Sequence, residues 1–351
     1  MVGIKEIRIS NSTFSTKSSG PVALFVGGTG GIGKGSLIQF AKHANAPTVY
    51  VVGRSKSSAA GFLHELKDLN PQGVFNFLEY DFALVENVDA VCDEIKRKER
   101  RLDLIFLTPT RVSLSGRHET SEGIDTLLSL SFYARLRTVH NLMPLLAVAD
   151  LPRVISVLAG GKEGGLDVNN LEARENYSLK NAMTTAATQT TLAFEELAKS
   201  YPMVTFCHVY PGFVNTGQLD KLTGTAKGFW ALPAVLARWI AIPVVKMFGR
   251  TIEEAGERGL FISSSAKYPP AKPKHPQEVG IALPERVDVA RSTIVKDGTG
   301  NGVYRLDANG ESVENENDQI LADFRAEDMG RTVWDRTATL WERALDRAHE
   351  A

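Results

Sequence analysis

Short apolar runs alternate with helix-like segments between about residues 21 and 217, and this alternation limits the possible folds most. VALFVGG, which begins at Val22, and TVYVVGR, which begins at Thr48, are two of the runs. After each run, apolar residues recur at helical spacing. Strands that are apolar on both faces are typical of a parallel sheet covered by helices on both sides. We therefore predict an α/β fold: a Rossmann-like doubly wound parallel sheet with helices on both faces, plus a C-terminal extension.

The alternation stops near residue 217, and the chain accordingly divides into three regions. Residues 1–20 are polar, and we predict a flexible N-terminal segment there. Residues 21–217 are the predicted core. Residues 218–351 contain too few elements to bury a separate core, so we expect a lid and an extension of the same domain. Within them, TGNGVYRLDANGES is typical of a hairpin with a turn at Asn309–Gly310.

Composition and charge exclude several classes of protein. The 40 basic and 41 acidic residues give a net charge of −1, so no global field attracts nucleic acid or an anionic membrane. Two cysteines, Cys92 and Cys207, do not make a disulfide framework, and no cluster has metal-ligand spacing. The N-terminus lacks the apolar stretch of a secretory signal. We predict a cytoplasmic protein without a metal site and without a transmembrane segment.

The segment 217–249 is rich in apolar residues but is broken by charges. Arg238 and Lys246 leave no charge-free run near the ~18–20 residues that a membrane-spanning helix needs. We predict that this segment forms a lid over a bulky, mostly apolar small-molecule substrate. Packing beneath a loop and contact with a membrane surface are the alternatives. The large aromatic residues of the predicted lid are Phe229, Trp230, Trp239 and Phe248.

A glycine-rich loop, Gly27–Gly33, lies between the first predicted strand and the first predicted helix. Gly27 permits a tight turn, Gly31 lets the backbone approach a diphosphate, and Gly33 lets the helix pack closely on the sheet. The N-terminus of the helix adds unpaired N–H groups and a partial positive charge. The loop therefore predicts a dinucleotide site; a tight structural turn is the alternative.

The residue that follows the second predicted strand favours NADP as the cofactor. An NAD site usually has an acidic residue here for the ribose hydroxyls, whereas the guanidinium of Arg54 suits a 2′-phosphate. The alternative is that Arg54 is a solvated residue at a strand end. Asp81, at the end of the third predicted strand, is expected to accept a hydrogen bond from the adenine amino group, or else to cap the following helix.

These features resemble the short-chain dehydrogenase/reductase superfamily over residues 21–217. The resemblance rests on the glycine-rich loop, Asp81, Asn176–Tyr177 before a helix, and PGFVNT at 211–216. In that family the last stretch contacts the nicotinamide carboxamide and the diphosphate. The resemblance, together with Arg54, therefore implies that residues 21–217 form an NADP-binding core. The C-terminal region and the YSLKNA stretch are similar to diverged members from fungal secondary-metabolite pathways. The resemblance implies the following cofactor-binding residues: Gly27, Thr29, Gly31, Ile32, Gly33, Arg54, Asp81, Pro211, Gly212, Val214 and Thr216.

The resemblance also implies a catalytic set, which this chain matches only in part. In that family a tyrosine exchanges a proton with the carbonyl oxygen, helped by a lysine four residues later, a serine and an asparagine. Tyr177 matches the tyrosine, but Asn181 stands four residues later and Lys180 three. Ala159 and Ser131 occupy the serine and asparagine positions. On a helix both i+3 and i+4 neighbour residue i, so Tyr177 and Lys180 are the expected catalytic residues. A packing tyrosine and a solvated lysine are the alternatives.

Other polar residues are expected near the same site. Ser113 and Ser115 follow the fourth predicted strand, where a substrate is expected to lie. Lys162 and Glu163 follow the fifth predicted strand, in a loop that is expected to face the nicotinamide.

Three functions are compatible with these residues. The first is an NADP(H)-dependent oxidoreductase acting on a carbonyl, alcohol, imine or enone of a bulky apolar metabolite in secondary metabolism. The second is an enzyme with non-redox chemistry, a cyclisation, isomerisation or dehydration, in which the cofactor is structural or absent; the incomplete catalytic set favours it. The third is a non-catalytic dinucleotide-binding protein. The resemblance implies a homodimer through the long fourth and fifth helices, or a monomer if the extension covers that face.

Overall fold

A computed structural model of the chain describes residues 2–17, 19–216, 249–285 and 287–350. Its strands are β1 Val22–Val26, β2 Thr48–Gly53, β3 Val74–Glu79, β4 Leu104–Leu107, β5 Arg153–Val157, β6 Thr205–Val209, β7 Val295–Lys296, β8 Thr299–Gly300 and β9 Val303–Leu306. Seven of them form one sheet in the order β3-β2-β1-β4-β5-β6-β9, in which every neighbouring pair is parallel. β7 and β8 form a separate antiparallel pair.

Helices connect the strands and cover the sheet. They are α1 Ile4–Ser12, α2 Phe14–Lys17, α3 Gly31–His43, α4 Lys56–Leu69, α5 Val85–Lys98, α6 Thr126–Leu128, α7 Ala134–Leu146, α8 Leu179–Ser200, α9 Ile252–Ser264, α10 Asn317–Ala326 and α11 Met329–Glu350. A π-helical turn, Ser129–Tyr133, joins α6 to α7, and a short 3₁₀ turn, Val168–Asn170, precedes α8.

Each face of the sheet is buried in its own hydrophobic core, as strand alternation requires. In β1, Leu24 belongs to the core formed with α5, α7, α8 and α11, while Phe25 belongs to the core formed with α3, α4 and α9. All five residues of β1 are buried. The prediction of a doubly wound parallel sheet with helices on both faces is therefore confirmed.

The C-terminal region supplies the seventh strand of this sheet. β9 lies parallel to β6, with Val303 opposite Phe206 and Leu306 opposite Val209. The sequence predicted a hairpin here. The turn ending at Gly310 does form, but Leu306 makes only a single antiparallel bridge with Ser312. The main pairing differs from the prediction because VYRL is buried along its whole length, which a position beside β6 provides and an exposed hairpin would not.

The first residues form helices rather than an unstructured segment. Val2 and Ile7 are 2% and 1% exposed and belong to the core beneath α9. Asn11 donates a hydrogen bond to the carbonyl oxygen of Glu257, and Arg8 pairs with the Glu257 carboxylate at 2.8 Å. The prediction of a flexible N-terminal segment overlooked these anchors, because the apolar contacts are few and widely spaced in a polar sequence.

The backbones of α9 and α3 approach each other closely. A Cβ atom on Gly35 would lie 2.3 Å from the carbonyl oxygen of Ile252, and one on Gly256 would lie 2.3 Å from that of Gly35. The absence of side chains at these two positions lets the two helix backbones meet. The contact fixes α9, and with it the chain that follows the predicted lid, next to the glycine-rich loop.

The predicted lid falls outside the described residues except for Gly249, so Phe229, Trp230, Trp239 and Phe248 have no structural account. Among the helices of the described residues, none is long and apolar enough to cross a membrane.

Candidate functional site

The glycine-rich loop has the backbone conformation that its glycines permit. Gly27 and Gly31 have φ values of +80° and +53°, in the left-handed region that favours glycine. Gly33 is required for a different reason: a Cβ atom there would lie 2.4 Å from Thr108 Oγ1 and 2.5 Å from the carbonyl oxygen of Gly27. The turn from β1 into α3 is thus tight and closely packed.

The hydroxyl of Thr108 supports this loop, although Thr108 was not among the site residues predicted from the sequence. Its hydroxyl lies 3.1 Å from the carbonyl oxygen of Val26 and 3.3 Å from that of Gly27, and it donates to this pair. The only sequence signal was a small hydroxyl residue directly after β4, which neighbours β1 in the sheet.

The N-terminus of α3 is open to an anion. Gly30 occupies the cap position without a side-chain hydrogen bond, and the first turn contains no acidic residue. The first N–H groups of a helix have no acceptor within the helix, and the helix dipole favours negative charge there. The residues present therefore fit a diphosphate.

The segment Pro211–Thr216, here called the clamp, meets the glycine-rich loop. Thr216 Cγ2 lies 3.1 Å from the position that a Cβ atom of Gly31 would take. A bridge between Val214 and Arg250 fixes the clamp, and Gly212, with φ of +68°, packs on Ala308. Two segments that lie far apart in sequence thus lie side by side in the fold.

Arg54 stands at the carboxyl end of β2 with an exposed side chain. It forms no hydrogen bond or ion pair with any residue that the structure describes. Lys34 differs, because its ammonium lies 3.4 Å from the Glu65 carboxylate and 4.5 Å from the ring centre of Phe62. Of these two cations near the loop, Arg54 is the one free to meet a ligand.

Asp81 does not cap α5. Its carboxylate accepts a hydrogen bond from the backbone N–H of Ala83 at 3.1 Å. The cap comes from Glu122, whose two oxygens accept from the N–H groups of Val85 and Glu86 at 2.6 and 2.9 Å. Burial raises the pKa of Glu122, against these hydrogen bonds. The capping alternative for Asp81 is therefore wrong, because a residue from a distant loop takes that place.

The structure does not join Tyr177 to Lys180. α8 begins at Leu179 and is capped by Ser178, so Tyr177 precedes the helix and helical spacing does not apply. Lys180 is exposed, and among the described residues no hydrogen bond links it to Tyr177. Burial, and next the charge of Asp125, raise the pKa of Tyr177. A neighbouring lysine would lower the pKa of Tyr177, and no such lowering is found.

Ala159, in the serine position, is tied to a buried polar chain. Its N–H donates to His208 Nε2 at 3.2 Å, which leaves Nδ1–H to donate to Thr191 Oγ1 at 2.9 Å. The Thr191 hydroxyl donates to Glu163 at 2.7 Å. Burial lowers the pKa of His208. This chain fixes the backbone where the family has its serine.

The π-helical turn lies at the asparagine position, and Ser131 within it is fully buried. The carbonyl oxygen of Leu130, within this turn, accepts from Arg135 Nε at 2.8 Å. Arg135 also donates to Pro109 O at 2.6 Å and to Val157 O at 2.9 Å, at the ends of β4 and β5. Burial lowers the pKa of Arg135 to about 9. A buried cation thus lies beneath the site, and nothing in the sequence pattern singled it out.

A lysine and a tyrosine meet at the carboxyl ends of β5 and β6. The Lys162 ammonium lies 5.1 Å from the ring centre of Tyr210, which directly precedes the clamp. Among the described residues, no group of three or more His, Cys, Asp or Glu side chains is arranged to hold a metal ion.

Comparisons with known proteins give matches to dehydrogenases, oxidoreductases and reductases. A family model described as short chain dehydrogenase matches residues 21–226. The chain is 40% identical over 347 residues to Oxidoreductase AN1596 of Emericella nidulans, covering 99% of this chain and 100% of that protein. It is 33% identical over 352 residues to Oxidoreductase andH of Emericella variicolor, covering 100% of both. YwfH, described as an NADPH dependent reductase involved in bacilysin biosynthesis, has a similar fold with a TM-score of 0.52 at 16% identity, covering 70% of this chain and 92% of that chain.

Proposed function

The chain belongs to the short-chain dehydrogenase family of oxidoreductases, and from this premise we propose that it is an NADP(H)-dependent oxidoreductase. Its substrate is a bulky apolar metabolite that carries a carbonyl, alcohol, imine or enone. The fungal oxidoreductases that match the whole chain support this class of reaction, and we infer a role in secondary metabolism in the cytoplasm.

The contact between Thr216 and Gly31 carries the proposal. A dinucleotide needs its diphosphate at a helix N-terminus and its nicotinamide beyond the carboxyl ends of the strands. The uncapped N-terminus of α3 would hold the diphosphate, and the clamp beside it would hold the nicotinamide. Arg54 would hold the 2′-phosphate, and Asp81 the adenine amino group.

Bound NADPH would supply the hydride, and the chain would supply orientation, exclusion of water and a proton. Thr29, Ile32 and the clamp residues Pro211, Gly212 and Val214 would complete the cofactor site. The assignment of Tyr177 and Lys180 as catalytic residues remains a prediction from the resemblance.

Non-redox chemistry is the second candidate, favoured by one observation. Tyr177 has a raised pKa and no hydrogen bond to Lys180, and Ala159 replaces the serine. A cyclisation, isomerisation or dehydration needs placement of the substrate and not this acid. The two candidates differ in cofactor consumption: only the redox reaction oxidises NADPH in step with product formation. Nucleotide binding without conversion of any substrate would indicate a non-catalytic protein instead.

We expect Arg54→Asp to weaken NADPH binding roughly 10- to 100-fold, because one charge-assisted contact to the 2′-phosphate is lost. NADH, which lacks that phosphate, is expected to lose much less. Fluorescence titration of both nucleotides measures the two affinities. Arg336→Asp is the matched control, because Arg336 is exposed on α11, a helix that packs on α5 and α8. Equal losses for both nucleotides would contradict the phosphate role, and a wild-type protein that binds neither would contradict the proposed function.

A further inference from the structure

Tyr210 and Lys162 meet at the edge of the sheet where the nicotinamide is proposed to lie. Tyr210 follows β6, directly before the clamp, and its N–H donates to Leu306 O at 2.8 Å. Lys162 follows β5, the neighbouring parallel strand. The lysine ammonium lies 5.1 Å from the centre of the tyrosine ring. Tyr210 is half-buried and Lys162 is exposed.

The reduction of a carbonyl requires a proton donor at this place. When hydride adds to the carbonyl carbon, the oxygen gains the electron pair of the C=O π bond and must take up a proton. A positioned side chain within hydrogen-bond reach accelerates that transfer. A cation beside a phenol favours its anionic form, and so helps it to release a proton.

Five of the other described tyrosines are less suited to this role. Tyr177 has no lysine over its ring, and burial raises its pKa. Four further tyrosines use their hydroxyls as donors within the fold: Tyr50 to Glu99, Tyr133 to Leu171 O, Tyr268 to Gly310 O and Tyr304 to Pro269 O. Among the described tyrosines, Tyr210 alone has a lysine ammonium over its ring.

The backbone of the loop that carries Lys162 is held at several points. The N–H of Lys162 donates to Ala159 O at 2.9 Å. The carbonyl oxygen of Gly161 accepts from the amides of Asn315 and Asn317 at 2.9 and 3.2 Å. Next along the chain, Glu163 is anchored by the Thr191 hydroxyl. Fixed geometry of this kind is what a catalytic pair needs.

We propose that Tyr210, assisted by Lys162, is the proton donor of the reaction; this inference rests on the proposed function. Bound NADPH would supply the hydride. As hydride reaches the carbonyl carbon, the O–H bond of Tyr210 breaks and its proton forms the new O–H bond of the alcohol. The phenolate left on Tyr210 lies beside the Lys162 ammonium and regains a proton from solvent.

Other titratable and charged groups lie on the same loop and on the elements next to it. They are Glu163 on the same loop, His208 on β6, Arg305 on β9, Asp318 on α10, Arg135 on α7, and Arg250 and Asp307 beside the clamp.

The test compares Tyr210→Phe and Lys162→Met with wild type in the reduction of conjugated ketones by NADPH. We expect Tyr210→Phe to lower kcat roughly 10²- to 10⁴-fold, and Lys162→Met about tenfold. NADPH affinity, measured by fluorescence titration, is expected to change little in either variant. Wild-type kcat should fall at high pH, where a general acid loses its proton, and Tyr210→Phe should remove that fall. Tyr201→Phe and Lys274→Met are controls that should behave as wild type.

The outcomes separate this inference from the function on which it rests. If Tyr210→Phe keeps wild-type kcat and pH profile while wild type binds and oxidises NADPH, the inference is overturned and the proposed function stands. If Tyr177→Phe lowers kcat and Tyr210→Phe does not, the donor is Tyr177. If wild type binds no NADPH, or reduces no ketone of the panel, both fail together. Thermal unfolding of each variant shows whether a loss of rate comes from a loss of structure.

Discussion

Glu163 is a buried carboxylate, 3% exposed, in the loop that follows β5. Its Oε2 lies 3.4 Å from Arg305 Nε, while Oε1 accepts from Thr191. Burial raises the pKa of this carboxyl, but the contacts with His208, Arg305 and Thr191 outweigh burial and hold the pKa below its ordinary value of 4.5. For His208 burial is the largest cause, and it lowers the pKa from 6.5.

The lowered pKa values of Glu163 and His208 change the pH dependence of stability in the same direction. A group whose pKa is lower in the folded state stabilises the fold above its unfolded value, and loses that contribution as the pH falls. The His208 contribution therefore declines below about pH 6.5 and the Glu163 contribution below about pH 4.5. Both make the protein sensitive to acid rather than to base.

We expect Glu163→Gln to reduce the free energy of unfolding by about 3 kcal/mol at neutral pH, because removal of one partner leaves Arg305 without its buried counter-charge. The loss should shrink as the pH falls from 4.5 toward about 2, because the stability that the charge of Glu163 provides is lost between the ordinary pKa of the unfolded chain and the pKa of about 2 in the folded protein. Urea unfolding at neutral pH and at several pH values within that range measures the effect. Glu314→Gln, whose partner Arg291 is exposed, should cost less than ~1 kcal/mol. Equal costs at every pH would show that packing, and not charge, is what the variant removes.

At the scale of elements, the unit of strand β1, the glycine-rich loop and α3 depends on close approach as well as on turn conformation. Thr108, Gly27 and Gly33 meet within distances that leave no room for a methyl group at Gly33. Gly30, in the same loop, has nothing within 4 Å of its Cβ position. The two glycines therefore offer a direct comparison of packing within one loop.

We expect Gly33→Ala to destabilise the protein by about 1–3 kcal/mol, because an added methyl group in this packed site forces backbone shifts. Nucleotide affinity should fall with it, since the loop is displaced from α3. Gly30→Ala should unfold like wild type. Thermal unfolding and NADPH titration of both variants measure the two effects. If Gly33→Ala keeps wild-type stability, the close contact with Thr108 is not what makes glycine necessary there.

At the scale of the whole molecule, the C-terminal helix covers the face on which a homodimer was expected. Trp341 of α11 is 2% exposed, and its Nε1–H donates to Tyr133 O at 3.2 Å. The Arg137 guanidinium lies 5.2 Å from the Trp341 ring. Arg325, in the last turn of α10, pairs with Glu195 on α8 at 2.7 Å. The chain's own helix thus occupies the outer surface of α7 and α8, which favours a monomer.

We expect Trp341→Ala to cost about 3–5 kcal/mol of unfolding free energy, because it removes a large buried side chain from the contact with α7. Trp334→Ala, which truncates a half-buried tryptophan of the same helix, should cost clearly less. Urea unfolding measures both. Light scattering of wild type should give a single species of 38.3 kDa. A stable dimer, together with a small effect at Trp341, would mean that α11 leaves this face free.

The clamp was expected only from the resemblance to a known family, whereas the sequence itself was sufficient to predict the parallel sheet and the tight turn of the glycine-rich loop. Their signals are local: apolar periodicity within one element, and glycines at backbone angles that other residues avoid. Residues such as Gly27 and Gly31 reveal their role through their own conformation.

Only the tertiary structure decided which residues meet. Thr108 lies 81 residues from Gly27 in the chain, yet its hydroxyl lies 3.3 Å from the carbonyl oxygen of that glycine, because β1 and β4 are neighbours. Lys162 reaches Tyr210 because β5 and β6 are adjacent, and Tyr177 misses Lys180 because α8 begins two residues after the tyrosine. Strand order and helix boundaries result from packing of the entire core, so spacing along the chain does not disclose these contacts.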